Sequence, residues 1–259
     1  MSATPAAQAV IERGYTPEEY LAVLLSRQVR DGETAACGMV SPIPAAGLML
    51  AGQTHAPRAR IIVLESAEFD PFRRDGYSGS TEFHFMAQRG ELDLFFVSGV
   101  QIDQKANINL HVVGDHDRPK MRFPGGYGTG MLYYMAKRVV LFRTEHSKRT
   151  LVPKVDFVTA AGVTPDRIYR PGGPAMLITT LAQFDWDKAA GRWSLRSVHP
   201  GHTADEVLAN MGFAPAVSGN LAATPAPTAD ELFLLRTVVR EKVAKVYPEF
   251  AEHSILAAV

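Results

Sequence analysis

Short apolar runs of strand length, separated by stretches of helical character, constrain the fold of this chain most. Several of the runs lack strict alternation of apolar and polar residues, which is typical of strands covered on both faces. The runs cover residues 34–39, 60–64, 93–98, 108–113, 138–142, 155–159 and 176–179, with helical stretches at 44–53 and 130–136. This alternation predicts an α/β fold in which a mostly parallel sheet lies between helices on both sides.

Three segments share a helix-start signature, Thr followed three residues later by Glu. The two side chains satisfy backbone N–H groups that the first helical turn leaves unpaired. The segments begin at Thr16, Thr203 and Thr228. The first helix is predicted to end at Gly32 and the second at Gly212. Residues 184–187 and 193–198 predict a late antiparallel hairpin, and the Ala- and Pro-rich residues 214–227 predict a connecting arm before a C-terminal helix.

Composition excludes several classes of protein. Lys plus Arg and Asp plus Glu both total 27, so there is no basic excess of the kind that accompanies wholesale nucleic-acid binding. The single cysteine, Cys37, rules out an internal disulfide and any cysteine-built metal site. We see no signal peptide in residues 1–10 and no apolar stretch of bilayer length, and we expect a cytoplasmic protein with no membrane partner. Residues 1–259 are predicted to form a single domain.

Glu65 stands where an apolar run stops. Residues 61–64 are apolar and β-type, Glu65 follows them at once, and small residues come next. Open α/β folds keep their ligand sites where strands end, so a carboxylate at this place is a candidate site residue. The alternative is that Glu65 marks the strand end and faces water, as most glutamates do.

A glycine cluster at residues 123–130 is the second candidate site. Gly125, Gly126 and Gly128 come just before a helical segment. Glycine lets backbone N–H groups approach a ligand closely, so the loop can hold a phosphate or a developing oxyanion. The cluster matches neither the dinucleotide fingerprint nor the Walker loop, and a tight turn without a ligand is the alternative.

The remaining polar and nucleophilic motifs are weaker indications of chemistry. Residues 114–120 hold two carboxylates and an imidazole, but they lack a second His at helical spacing and favour a polar loop over a metal site. Residues 145–149 either position a basic group for a phosphate or form a solvated turn. No Ser stands in a nucleophile elbow, and Cys37 lies in a strand-like run typical of a small core residue.

The order of several short motifs resembles the β subunit of family I CoA-transferases, in particular the glutaconate CoA-transferase type. The resemblance runs from about residue 21 to about residue 240 and is most specific between residues 101 and 120. The motifs are, in chain order, residues 54–57 (THAP), 98–103 (SGVQID), 107–109 (NIN), 114–115 (GD), 118–120 (RPK), the glycine cluster at 123–130, and then 148–149 (KR) and 154–159 (KVDFVT).

The resemblance implies a three-layer α/β/α domain of the NagB/RpiA/CoA-transferase-like fold. It also implies that Glu65 is the catalytic glutamate, because Glu65-Ser66-Ala67 occupies the place of the family's strand-end motif when counted backward from Asp70. Counted forward from Pro57, Leu64 would fall there instead. The implied reaction passes CoA from an acyl-CoA to a carboxylic acid through a glutamyl-CoA thioester.

The remaining site residues follow from the same resemblance. Backbone N–H groups near Gly99, Gly125, Gly126 and Gly128 become candidates for binding the oxyanion and CoA. Coenzyme A is a substrate, neither a permanent cofactor nor a metal is required, and an α-type partner subunit is expected.

Two departures from the family pattern keep alternatives open. Ala67 replaces the motif glycine, and Tyr127 interrupts the glycine loop. The first alternative is an acyl-CoA hydrolase or decarboxylase on the same scaffold, separated from a transferase by the loop at residues 66–80. The second is a non-catalytic metabolite-binding member of the fold.

Overall fold

The computed structural model describes residues 14–64, 66–74, 77–78 and 80–257. The chain divides into two compact units, one formed by Met1–Phe83 with Ala226–Val259 and the other by His84–Pro225. Helix α3 (Ser80–Gln88) crosses this division. The single domain expected over residues 1–259 stays a prediction.

The first unit joins two parallel strands to helices from both parts of its sequence. The strands are β1 (Thr34–Cys37) and β2 (Arg60–Val63), and a two-residue hairpin pairs β3 (Arg73–Arg74) with β4 (Tyr77–Ser78). The helices are α1 (Pro17–Ser26), α2 (Pro42–Gln53), α6 (Ala229–Leu234), α7 (Arg240–Ala244) and α8 (Pro248–His253), with a π-helical segment at Leu235–Val239 between α6 and α7.

Helix α1 begins as its sequence predicts. Thr16 accepts the N–H of Glu19, and the Glu19 carboxylate accepts the N–H of Thr16. Glu19 also forms a fully buried ion pair with Arg236, at 2.8 Å. The helix ends at Ser26 and not at Gly32, because the N–H groups of Gln28 and Val29 bond carbonyls three residues back and tighten the chain into turns.

Helices α1 and α2 pack closely around Gly47. A Cβ on Gly47 would lie 2.8 Å from the carbonyl oxygen of Ala22 and 3.1 Å from Cβ of Leu25, so only glycine permits this approach. Leu21, Leu24 and Leu25 are buried in the same core. Cys37 is fully buried, as a small core residue should be, and burial raises the pKa of its thiol.

The large sheet takes six of its strands from the second unit, in the order β15–β14–β13–β12–β10–β5. Strand β10 pairs in parallel with both β5 and β12, and β14 pairs in parallel with β15. The predicted late hairpin is β13 with β14, which pair antiparallel. The bounds are β5 (Leu94–Val97), β10 (Arg138–Phe142), β12 (Pro174–Ile178), β13 (Ala182–Asp187), β14 (Arg192–Val198) and β15 (Ala216–Ala223).

Two short helices and small sheets complete the second unit. The helices are α4 (Thr129–Met135) and α5 (Ala204–Ala209), the latter begun by Thr203 as predicted. The small sheets pair β6 (Gln101–Asp103) with β7 (Ile108–Asn109) and β11 (Leu151–Val152), and β8 (Val112–Gly114) with β9 (Pro119–Arg122). The expectation of an α/β fold with a mostly parallel sheet is confirmed.

Three local predictions were wrong. Residues 108–113 form two strands instead of one, because the Asn109 side chain accepts the N–H groups of His111 and Val112 and turns the chain. Residues 155–159 form no strand, and this part of the chain contributes only an isolated bridge at Ala160. The arm predicted at 214–227 contains β15, whose backbone pairs with β14.

Candidate active site

Glu65 lies outside the described residues, but the residues on either side of it form an ordered turn. Leu64, directly after β2, is buried, as the backward count of the motif requires. The N–H of Ser66 donates to the carbonyl of Val63 at 3.1 Å. The Ser66 hydroxyl accepts the N–H of Phe69 at 3.1 Å, and the N–H of Asp70 closes the turn on the Ser66 carbonyl. The expected change from a strand to a short turn is therefore present around position 65.

Glu68, the nearest described carboxylate, already has partners. It forms an ion pair with Lys242 at 2.7 Å and approaches Lys245 at 3.5 Å. Its hydrogen bond to Lys242 keeps the pKa of the Glu68 carboxyl below its usual range. Glu68 is therefore neutralised by lysines of the same unit.

The glycine loop of residues 123–130 is shaped by side chains that occupy the space of the missing Cβ atoms. A Cβ on Gly126 would lie 2.6 Å from Cγ2 of Thr159, and a Cβ on Gly128 would overlap Nε2 of His84. Gly125 has φ +99°, a conformation that favours glycine, and its Cβ would lie 3.2 Å from Nε2 of His111. Packing and backbone conformation thus account for all three glycines.

Three amide N–H groups of this loop have no acceptor within the described protein. Within the described parts of the chain, the N–H groups of Gly125, Gly126 and Gly128 donate to no protein acceptor. The carbonyls of Gly126 and Gly128, in contrast, accept the N–H groups that begin helix α4. Unused donors in a glycine-rich loop suit an oxyanion, although the close packing alone would also require glycine.

Gly99 follows β5 and is held from two sides. A Cβ there would lie 3.0 Å from the carbonyl oxygen of Gln101 and 3.1 Å from that of Asn109. Nη1 of Arg143 donates to the Gly99 carbonyl at 2.8 Å. Burial lowers the pKa of Arg143, and its Nε has no partner among the described residues. The sequence analysis did not identify Arg143. Like Glu65, it is a charged residue that directly follows an apolar run.

A network of amide and carboxylate side chains supports Gly99 and the strands around it. The buried side chains of Gln101 and Asn109 share a hydrogen bond of 2.7 Å. Asp156 accepts from Gln101 at 3.0 Å and from the N–H of Gly114 at 2.8 Å. Asp103 accepts the N–H and the side-chain amide of Asn107. The block that carries the resemblance therefore forms one connected polar scaffold, because buried polar groups need partners.

The other polar motifs have structural roles. Asp115 Oδ1 accepts the N–H groups of Asp117 and Arg118, which makes residues 114–120 a polar turn. His146 is buried, with Nδ1 on Thr179 Oγ1 at 2.8 Å and Nε2 on the Val207 carbonyl at 3.0 Å. Both motifs are therefore held by hydrogen bonds within the fold.

The lowered pKa values of two buried histidines predict how the stability of the fold depends on pH. Burial lowers the pKa of His146 and lowers that of His199 to about 4, from an ordinary value of 6.5. Below pH 6.5 these histidines therefore bind protons in the unfolded chain but not in the folded chain. The free energy of unfolding falls as the pH drops from about 6.5 to about 4. We expect a loss of up to about 3 kcal/mol from His199, measured by urea unfolding at a series of pH values.

His199→Asn tests this prediction, and His253→Asn is its control. His253 is exposed, whereas His199 bonds Thr224 and the Thr179 carbonyl in the core. Replacing His199 should flatten the acid limb of the stability profile, and replacing His253 should leave it unchanged. Equal profiles for wild type and His199→Asn would contradict the assignment.

Comparisons with known proteins identify the family to which this chain belongs. Residues 48–210 match the model of the Coenzyme A transferase family. The chain is 30% identical over 246 residues to the B subunit of the 3-oxoadipate CoA-transferase of Pseudomonas knackmussii, covering 86% of this chain and 93% of that protein. The chain therefore belongs to the coenzyme A transferase family. The resemblance stated from the sequence is confirmed.

Two further relatives place the chain within this family. The B subunit of the glutaconate CoA-transferase of Acidaminococcus fermentans is 28% identical over 226 residues, covering 77% of this chain and 83% of that protein. The crystal structure of glutaconate CoA-transferase from that organism superposes with a TM-score of 0.77 over 94% of this chain and 98% of that chain, at 23% identity, and shows the shared fold. The decarboxylase AibA/AibB superposes with a TM-score of 0.71, at 26% identity over 93% of this chain and 98% of that chain.

No helix in the described part of the chain is long and apolar enough to cross a bilayer.

Proposed function

We propose that this chain is the glutamate-bearing subunit of a CoA-transferase that moves CoA from an acyl-CoA to a carboxylic acid in the cytoplasm. The observation that carries the proposal is the combination of family membership with a glutamate at position 65, directly after a buried strand end. Coenzyme A enters as a substrate, and no permanently bound cofactor takes part.

The reaction needs only carboxylates and the CoA thiol. The Glu65 carboxylate attacks the thioester carbonyl, the C–S bond of the tetrahedral adduct breaks, and CoA leaves as a thiolate, which gives a mixed anhydride between Glu65 and the acyl group. The thiolate then attacks the glutamyl carbonyl and releases the first acid, which leaves a Glu65–CoA thioester. The acceptor carboxylate repeats the two steps in reverse and regenerates Glu65. A carboxylate is a weak nucleophile, so positioning and exclusion of water must supply much of the rate.

The unused amides of Gly125, Gly126 and Gly128, together with that of Gly99, are the proposed donors to the tetrahedral oxyanion. Negative charge gathers on the thioester oxygen as Glu65 attacks, and fixed N–H donors stabilise that charge without reorganising. The hydrogen bond from Arg143 to the Gly99 carbonyl supports this role, because it holds the backbone around the Gly99 amide.

Trapping the covalent intermediate tests the function. Acyl-CoA is added to the complete enzyme, the Glu65–CoA thioester is reduced with borohydride to an alcohol, and the peptide is identified by mass spectrometry. We expect the reduced side chain at position 65. A label on another residue, or none under conditions of full turnover, would contradict the proposal.

A decarboxylase is the second candidate, since AibA/AibB shares the fold at 26% identity. Decarboxylation would release CO2 from an acyl-CoA without any acceptor acid and without a thioester on Glu65. The same trapping experiment therefore separates the two candidates.

We also expect the chain to need an α-type partner subunit for activity. The CoA-transferase relatives are named as B subunits, and Phe85, Met121 and Tyr127 each expose more than half of their surface in the second unit. Burying these apolar side chains against a partner would be favourable. Turnover and native mass should be measured for the chain alone and for the chain co-expressed with an α-type subunit from the same genome. Efficient turnover by the isolated monomer would contradict this expectation.

A further inference from the structure

The imidazole of His111 lies directly against the glycine loop. Its Nε2 is 3.2 Å from the point that a Cβ on Gly125 would occupy, and its ring packs on Phe157 with 4.8 Å between centroids. The carbonyl of His111 also accepts the N–H of Phe123 at the start of the loop. Nε2 bonds no described residue and is not enclosed, so it is open to a ligand bound at the loop.

Thr159 decides which nitrogen of His111 carries the proton. Its Oγ1 accepts the N–H of Leu110 at 2.8 Å and lies 2.7 Å from Nδ1 of His111. Oγ1 has two lone pairs, but if it accepted from both Leu110 and Nδ1 its own hydrogen would have no acceptor among the described residues, so we assign the hydroxyl as the donor to Nδ1. Nδ1 then has no proton, and the proton of the neutral ring is on Nε2. The free nitrogen beside the loop is therefore a hydrogen-bond donor.

We propose that His111 is a catalytic residue whose Nε2–H donates to the oxyanion at the glycine loop, and that Thr159 is a positioning residue that fixes the required tautomer. This inference rests on the proposed function. The imidazole keeps its proton throughout, and the bonds that form and break are those of the transfer itself. Its hydrogen bond strengthens as charge develops on the thioester oxygen, so it lowers the barrier and not only KM.

A purely structural His111 would act as a ring packed between Phe157 and Gly125, and two substitutions separate the roles. His111→Phe keeps an aromatic ring but has no donor. His111→Gln loses the ring but keeps an amide N–H at a similar reach. We expect kcat to fall about 10–100-fold in the Phe variant, with an unchanged KM for acyl-CoA, and to recover most of its value in the Gln variant. The reverse ranking, or wild-type kcat in His111→Phe, would overturn the proposal.

The second pair of variants tests the tautomer. Thr159→Val keeps the methyl group that lies against Gly126 but removes the hydroxyl, whereas Thr159→Ser keeps the hydroxyl. We expect kcat to fall about 10-fold in the Val variant, because part of the ring then carries its proton on Nδ1, and to recover in the Ser variant. Equal rates for the two would show that the hydroxyl has no role.

Borohydride trapping on the same preparations distinguishes a failure of the role proposed for His111 from a failure of the proposed function. If wild type forms the Glu65 thioester and His111→Phe forms it at the wild-type rate, only the role of His111 fails. If wild type forms no thioester, the proposed function fails, and the role of His111 fails with it.

Discussion

Replacing Glu65 by alanine is expected to lower the rate of CoA transfer by about 10⁴–10⁶-fold, the scale on which loss of a covalent nucleophile acts. The physical reason is that no other described carboxylate of the turn is free to substitute. Asp70 is buried and accepts the N–H of Phe72, and Glu68 is paired with Lys242. Steady-state turnover with the partner subunit present measures the effect.

Two companion variants make the result specific to position 65. Glu65→Asp shortens the side chain and withdraws the attacking oxygen by more than about 1 Å, which should cost about 100-fold. Glu68→Gln removes a carboxylate three residues away that pairs with Lys242 and Lys245. This variant should keep turnover within about twofold of the wild-type value. Full activity in Glu65→Ala, or equal losses in Glu65→Ala and Glu68→Gln, would refute Glu65 as the nucleophile.

Replacing Gly128 by valine is expected to lower kcat by about 10²–10³-fold, comparable to losing an oxyanion donor. A Cβ at this position overlaps Nε2 of His84, so the loop must move, and its amides move with it. The measurement is kcat for acyl-CoA turnover, with circular dichroism and thermal unfolding to establish that the variant folds.

Gly130→Ala is the matched control. Its Cβ would lie 3.4 Å from the Thr159 carbonyl, an ordinary contact, and alanine is a better helix former than glycine within α4. This variant should keep wild-type turnover. A folded Gly128→Val enzyme with the same kcat as Gly130→Ala would make the loop a purely structural turn.

Local sequence signals predicted the elements well where one physical rule dominated. The Thr–Glu capping pairs placed the starts of α1, α5 and α6, because the unpaired N–H groups of a first turn are satisfied within four residues. Predictions failed where side chains competed with the backbone. The side chain of Asn109 ends the first strand of a run that we predicted as one strand. It does so by accepting backbone hydrogen bonds, which a pattern of apolar residues does not reveal.

The candidate site likewise contains residues that the sequence could identify and residues that it could not. The glycine loop and Gly99 could be read from the sequence because glycine is itself the signal. His84, His111 and Thr159 could not, since each lies far from the loop in sequence and meets it only after folding. Arg143 was within reach, because a charged residue that directly follows a buried strand is visible without a structure.

The buried pair of Glu19 and Arg236 has a consequence for the order in which the chain folds during synthesis. The two residues are 217 positions apart, and the whole of His84–Pro225 is translated between them. The second unit is continuous in sequence and is translated whole before Arg236. The first unit must wait, because α6 contacts both α1 and α2, and Arg236 neutralises Glu19 in the core that they form. Until the late helices emerge, α1 and α2 expose the apolar faces that make nascent chains bind chaperones.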